Sequence, residues 1–189
     1  MELILASASP RRKALLTIAG YTFSVFPSPE EEQPDPTLSP GERAVALAHE
    51  KAKSIAWKHP GAVVIGADTV VSITGEVLGK PKDEQDARRM LRMLSGTTHA
   101  VYTGCAVRQG LEERTFYETT LVTFYPLSER EIDRYIATGE PFDKAGGYGI
   151  QGAGCLLVKR VTGDFYNVMG LPIARLSRLL ERFGIYPES

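Results

Sequence analysis

The 189 residues predict an α/β protein with an elongated, mixed β-sheet flanked by helices. Three observations carry this expectation. Apolar strand-like runs alternate with helix-like segments along the chain. Two long strand candidates, Ala100 to Arg108 and Thr115 to Tyr125, follow one another through Gln109-Gly110, a meander that a pure βαβ succession would not contain. No internal repeat and no composition break marks a linker, so the length fits one domain over residues 1–189.

Taken in order, Leu3 to Ala6 reads as a short buried strand, and Ser9 with Pro10 makes an N-cap and first helical residue. The helix runs from about Arg11 to Gly20, with Leu15, Ile18 and Ala19 as its apolar stripe. Phe23 to Phe26 is a second strand, and Pro27 to Pro40, rich in Pro and Glu, an exposed loop. Ser39-Pro40-Gly41-Glu42 is a capping box that opens a helix to about Trp57. Val63 to Ile65 is an apolar strand that continues past Gly66-Ala67-Asp68 through Val70 to Ile73, with Thr74-Gly75 as a hairpin tip. Asp83 caps a helix to about Leu94. After the meander, Ser128-Glu129-Arg130-Glu131 is a second capping box, and Gly139 closes its helix. Asp143 to Gly154 is glycine-rich, Leu156 to Val161 is a strand, and a last helix runs from Leu171-Pro172 to about Phe183.

Composition narrows the class of function. Hydrophobic residues make up 43% and charged residues 24%, an ordinary globular balance. A net charge of -1, from 22 basic and 23 acidic residues, argues against a bulk nucleic-acid binder, yet leaves room for a local basic pocket. The 2 cysteines, Cys105 and Cys155, fit neither a CxxC metal site nor a disulfide framework. The opening Met-Glu-Leu-Ile-Leu-Ala has no basic region before its apolar run, which is too short for a signal peptide or a membrane span. These features predict a cytoplasmic protein without a membrane partner.

Five clusters carry chemistry. Ser7-Ala8-Ser9-Pro10-Arg11-Arg12 joins a buried strand to a helix N-terminus, where free N–H groups and guanidiniums favour an anion. The same residues also fit a plain cap with two solvated arginines. In Gly66-Ala67-Asp68-Thr69 a carboxylate ends an apolar run, so Asp68 is either a hydrogen-bonded turn former or a group that holds a metal or polarises water. Lys51 and Lys80, placed near element boundaries, read by themselves as solvated lysines. Glu30-Glu31-Glu32 is a solubilising run from which one member could join Asp68 around Mg²⁺. Finally, Asp143 to Gly152 holds four glycines around Tyr148, Ile150 and Gln151. The Gln151 amide offers a donor and an acceptor, which suits the imide edge of uracil or thymine. His49, His59 and His99 lack ligand spacing and read as structural or surface residues, and Trp57 reads as packing. Neither a Walker A motif nor GxGxxG is present.

As an ordered set, Ser7–Arg12, Lys51-Ala52, Gly66–Val71, Gly79-Lys80-Pro81, Asp143–Gly146 and Asn167–Pro172 resemble the Maf family, the septum-formation-inhibitor-like nucleoside triphosphate pyrophosphatases. The resemblance implies hydrolysis between the α and β phosphates of a nucleoside triphosphate, a divalent cation (Mg²⁺ or Mn²⁺), and a homodimer. It also implies a fold like that of the inosine triphosphate pyrophosphatases, with two lobes around one active-site cleft. It makes Asp68 the proton acceptor and a metal contact. Glu32 falls where the family has its loop carboxylate, although Pro29-Glu30-Glu31-Glu32 departs from the usual Asp-Val-Asp-Glu. Ser7, Arg11, Arg12, Lys51 and Lys80 match positions around the triphosphate. Tyr148-Gly149-Ile150-Gln151-Gly152 resembles the dTTP/UTP subgroup rather than the 7-methyl-GTP subgroup, and Arg12, Thr69 and Gln151 match the positions associated with pyrimidine preference. A reading of another class is a non-enzymatic nucleotide-binding regulator of cell division, which would need neither Asp68 nor a metal.

Overall fold

A computed structural model describes residues 1–29 and 35–188; Glu32 therefore lies outside the described residues. The first strand, β1 (Leu3–Leu5), leads into helix α1 (Pro10–Ile18). Ser9 caps α1 by accepting from the Arg12 N–H, and Pro10 sits in the first turn, where its missing N–H costs nothing. The expected stripe on α1 is corrected in one place: Ile18 is 80% exposed, while Arg12, Leu15 and Leu16 are buried and Ala19 packs against the core. Positions 12, 15, 16 and 19 share one helical face, and 18 lies off it. That face carries an arginine into the interior.

Strand β2 is short (Ser24–Val25). Helix α2 (Pro40–Ala56) opens with the full capping box: the Ser39 N–H donates to Glu42 and the Glu42 N–H donates back to the Ser39 hydroxyl. Its buried face includes Ala44, Ala48 and Ala52, small residues that let the helix approach the sheet. The strands meet it with glycine. A β-carbon on Gly66 would lie 2.0 Å from the Ala48 carbonyl oxygen, and one on Gly104 would lie 2.2 Å from Ala44. Trp57, expected to pack, is 89% exposed, because it lies one residue past the last buried turn of α2.

Strand β3 (Val63–Ile73) and β4 (Glu76–Leu78) form a hairpin, followed by α3 (Glu84–Leu94), capped by Asp83. The meander is longer than expected: β5 (Thr98–Gln109) and β6 (Glu112–Phe124) pair along their full length about a Gly110-Leu111 turn. Helix α4 (Glu129–Ile136) carries the second capping box. The strand expected from Leu156 begins instead at Val158, giving β7 (Val158–Thr162). Residues Gly152–Leu156 form a 3-10 turn, held by Glu140, whose carboxylate accepts from the Ala153 and Gly154 N–H groups. A short helix absent from the expected pattern, α5 (Phe165–Val168), is capped by Asp164, and α6 (Ile173–Leu180) ends the fold with a 3-10 turn to Phe183.

Among the described residues, seven strands make one mixed sheet in the order β2-β1-β3-β5-β6-β7, with β4 paired to β3. β1 is parallel to its neighbours and the rest are antiparallel. The face opposite α2 carries two apolar clusters. One joins Leu15, Ile65, Ala67, Cys105 and Leu176, and the other joins Val71, Leu91, Val101, Phe124 and Tyr148. Thr69 lies between them on β3. No described helix is long and apolar enough to cross a membrane.

Candidate active site

One edge of β3 pairs with β5 from Val64 to Ser72 without a break. The other edge is shared, by β1 at Val63–Ile65 and by β4 at Val71–Ile73. Between them, Gly66 to Val70 has no strand neighbour on that edge among the described residues. A cleft of about 790 Å³ opens at this notch, beyond the carboxyl end of β1. Successive strand residues face opposite sides of a sheet. Asp68 therefore turns toward α2 and Thr69 toward α1, and the open edge lets both line one cleft.

On the α2 side, Lys51 Nζ donates to Asp68 Oδ1 at 2.5 Å, with the side chains only 20% and 17% exposed. Lys51 lies in the body of α2 rather than near a boundary, and the glycine contacts at Gly66 and Gly104 bring it within reach. On the α1 side, Arg12 is buried. Its Nε donates to the Gly170 carbonyl (2.7 Å), Nη1 to Ser7 Oγ (3.0 Å) and Nη2 to Thr69 Oγ1 (3.1 Å). Burial pushes its guanidinium below the ordinary value, against the opposing pull of the Asp68 carboxylate. Arg12 thus fastens α1, β3 and the Met169-Gly170 turn together at the cleft wall.

Ser7 Oγ accepts from Arg12 and from the Ser9 N–H (3.3 Å). Arg11 reaches across the cleft to Asp143 at 3.8 Å. Partial burial works against the Asp143 charge, but hydrogen bonding from Lys144 (2.6 Å) and the nearby Arg11 hold its carboxyl below the ordinary value. Lys80 lines the same cleft next to Gly79, whose carbonyl accepts from the Gly146 N–H (3.0 Å). Gln151 also lines the cleft and is exposed. Its segment is held from behind: the Tyr135 hydroxyl accepts from the Gly149 N–H (3.0 Å), the Tyr148 hydroxyl meets His99 Nε2 (2.7 Å), and Glu140 holds the next turn.

All eight described candidates, Ser7, Arg11, Arg12, Lys51, Asp68, Thr69, Lys80 and Gln151, thus meet in the cleft. The structure adds residues that the sequence reading passed over. Glu140 and Tyr135 brace the Gln151 segment, and Thr103 sits beneath Thr69 in the β3–β5 register. Alternation along β5 could have marked Thr103 as inward-facing, but only the register gives it a partner. His99 is buried and His49 pairs with Glu113 at 2.6 Å, so both are structural. Cys105 is buried and free, with its thiol pushed up to about 12 by burial, and Cys155 is free and exposed.

A divalent cation can be tested against this donor set. Among the described residues no three His, Cys, Asp or Glu side chains cluster in a way that would hold a metal. Asp68 has one oxygen engaged by Lys51 and the other bonded by no described residue. One or two protein carboxylates completed by substrate phosphates is the arrangement that Mg²⁺ favours, and Asp68 fits it.

The profile of the Maf-like protein family matches residues 2–183. A protein named dTTP/UTP pyrophosphatase from Bacillus pumilus (strain SAFR-032) is 54% identical over 186 residues, which cover 98% of each chain. Another of that name from Bacillus velezensis is 52% identical over 184 residues, 97% of each. Among solved structures, a HAM1 protein from Coxiella burnetii shares the fold with a TM-score of 0.53, covering 96% of this chain and 99% of its own at 14% identity. With a family match over almost its whole length and relatives above half identity, the chain belongs to the Maf-like protein family.

Proposed function

We propose that this chain is a nucleoside triphosphate pyrophosphatase that hydrolyses dTTP and UTP to the monophosphate and pyrophosphate. The observation that carries the proposal is the Lys51–Asp68 pair, set in a notch of the sheet between two groups of basic residues. A cleft built only to bind a polyanion gains nothing from a carboxylate there, because it repels phosphate. A hydrolase needs one to handle water. The names of the two Bacillus relatives support the substrate class.

In this reading, Arg11, Lys51 and Lys80 neutralise phosphate oxygens, and Ser7, whose oxygen already accepts twice, gives its proton to another. Asp68 takes the proton from a water whose oxygen bonds to the α-phosphorus, while the bond from that phosphorus to the bridging oxygen breaks and pyrophosphate leaves. Lys51 has two partners available, Asp68 before substrate binds and phosphate afterwards, so the triphosphate itself frees the carboxylate. Asp68, with Glu32 from outside the described residues, would hold a Mg²⁺ or Mn²⁺ ion. When bound, it would neutralise charge on the leaving group. Arg12, Thr69 and Gln151 line the part of the cleft assigned to the base. Two lobes around this cleft and assembly as a homodimer belong to the same proposal and rest on the family resemblance; a cytoplasmic setting belongs to it too and rests on the cysteine usage.

The test is direct. Purified protein with Mg²⁺ should release pyrophosphate and monophosphate in equal amounts from UTP and dTTP. Release of orthophosphate instead, or no turnover with either metal, would overturn the reading.

A further inference from the structure

A chain of hydroxyl groups behind the cleft wall determines what Thr69 can offer a ligand. Arg12 Nη2 lies 3.1 Å from Thr69 Oγ1, Thr69 Oγ1 lies 2.9 Å from Thr103 Oγ1, and Thr103 Oγ1 lies 2.9 Å from the Asn167 carbonyl oxygen. Both ends are unambiguous. A guanidinium N–H only donates, and a backbone carbonyl only accepts. Thr103 must therefore give its single proton to Asn167, and the contact between the hydroxyls is satisfied only if Thr69 donates to Thr103. The end of the chain is itself anchored. Asn167 is fully buried, and its side-chain nitrogen donates to the Val101 carbonyl and to Thr120 Oγ1, each at 3.0 Å. Thr103 is likewise fully buried.

Thr69 is left with no proton to give and one free lone pair, at the wall of the cleft. Such a group cannot face an ionised phosphate, whose oxygens are acceptors. Strand alternation also turns it away from Asp68 and Lys51. A ligand group that pairs with it has to be a donor. We infer that Thr103 and Asn167 are positioning residues that make Thr69 an obligate acceptor, and that this acceptor reads the ring N–H of the substrate's base. Uracil and thymine carry that N–H between two carbonyls, whereas cytosine has a bare nitrogen at the same ring position. This inference rests on the pyrophosphatase reading and deepens it: one part of the selectivity lies in a proton direction set two side chains away from the ligand.

The experiment measures kcat/KM for UTP and CTP, with Tm, on wild type, Thr103→Val and Thr103→Ser. Valine keeps the shape of Thr103 but removes the acceptor, which frees the Thr69 proton to turn into the cleft and meet the bare nitrogen of cytosine. The UTP-to-CTP ratio should then fall roughly 3- to 10-fold, the range for one neutral hydrogen bond. Serine restores the hydroxyl and should keep the ratio within about twofold of wild type. If Thr103→Val does not fold, Thr69→Val serves instead: it removes the acceptor at the cleft itself, and should lower UTP turnover without lowering that of CTP. An unchanged ratio in a folded Thr103→Val or Thr69→Val protein overturns the inference. So does an equal loss on both substrates, which would mean that Thr69 meets a sugar hydroxyl common to the two. Wild type inactive on UTP would instead sink the pyrophosphatase reading, so the two failures are distinct.

Discussion

Lys51 Nζ sits 2.5 Å from Asp68 Oδ1 because helix α2 lies directly against the backbone of β3 and β5. The glycines at positions 66 and 104 remove the side chains that would hold the helix away, and α2 meets them with Ala48 and Ala44. The relationship between these two charges is thus a product of backbone proximity. It leaves a half-buried carboxylate paired with a group that a polyphosphate would compete for.

Replacing Asp68 by Asn should leave the chain folded and lower UTP turnover at least ~100-fold, the scale for losing a positioned general base. Asn keeps the volume and can still accept from Lys51. Circular dichroism and kcat on the same preparation check this. A folded variant with near-wild-type kcat would remove Asp68 from the mechanism.

Arg11, Lys51 and Lys80 are assigned to phosphate, which is the same in every substrate. Each change to Ala should therefore reduce kcat/KM for UTP and dTTP by similar factors. A residue whose loss affects one substrate and spares the other belongs to the base or sugar instead.

Gln151 should show the opposite behaviour. Gln151→Glu sets an acceptor-only carboxylate against a base carbonyl, and unpaired polar groups in a site are penalised strongly. UTP and dTTP turnover should fall, and their advantage over CTP should narrow. The measurement is kcat/KM for UTP, dTTP, CTP, ATP and GTP on both proteins, with the wild type ranking the first two highest. Preference for a purine, or an unchanged ranking in the variant, contradicts the assignment.

A β-carbon at Gly104 would sit 2.2 Å from Ala44, so Gly104→Ala must push α2 off the sheet. We expect a loss of about 3 kcal/mol in denaturant unfolding, at the upper end of ordinary overpacking, and reduced turnover as Lys51 withdraws. Gly79→Ala is the stability control, since its β-carbon would meet nothing within 4 Å, and should stay within about 0.5 kcal/mol. Equal stability of the two variants would refute the close-contact account.

His99 gives a pH signature. Burial lowers it from 6.5 to about 4, so the folded chain holds the neutral ring against Tyr148 and Phe124. Its contribution is complete above pH 6.5 and is lost as pH falls from there toward 4, amounting to about 3 kcal/mol at the acid end. Between pH 7 and pH 4.5, wild type should lose more stability than His99→Gln, which cannot titrate. Parallel losses in the two proteins would count against this.

Much of the fold was legible because local chemistry dictates it. The caps at Ser9, Ser39, Asp83 and Ser128 each form the expected bond, since a helix start needs an acceptor at that spacing wherever it sits. The β5–β6 meander was legible from its turn and flanking strands. Errors came where a neighbour decided. Ile18 at the end of α1 and Trp57 just past the end of α2 are apolar, yet they are 80% and 89% exposed. Leu156 looks like a strand start, but the Glu140 carboxylate holds its turn in a 3-10 form.

For the site, residue types marked the Ser7–Arg12 cluster, Asp68 and Gln151 as able to carry chemistry, and the resemblance of the ordered motifs to the Maf family added Lys51, Thr69 and Lys80 and gave all of them their roles. What only the tertiary structure decided is how they divide. The notch between β1 and β4 brings two faces of one strand to a single cleft, with Asp68 toward Lys51 and Thr69 toward Arg12. Thr103 acquired its partner only through the register of β5 on β3, and the direction of its proton only through the Asn167 carbonyl, 64 residues away along the chain. Hydrogen-bond direction depends on which groups meet in space, and one-dimensional spacing carries no record of that.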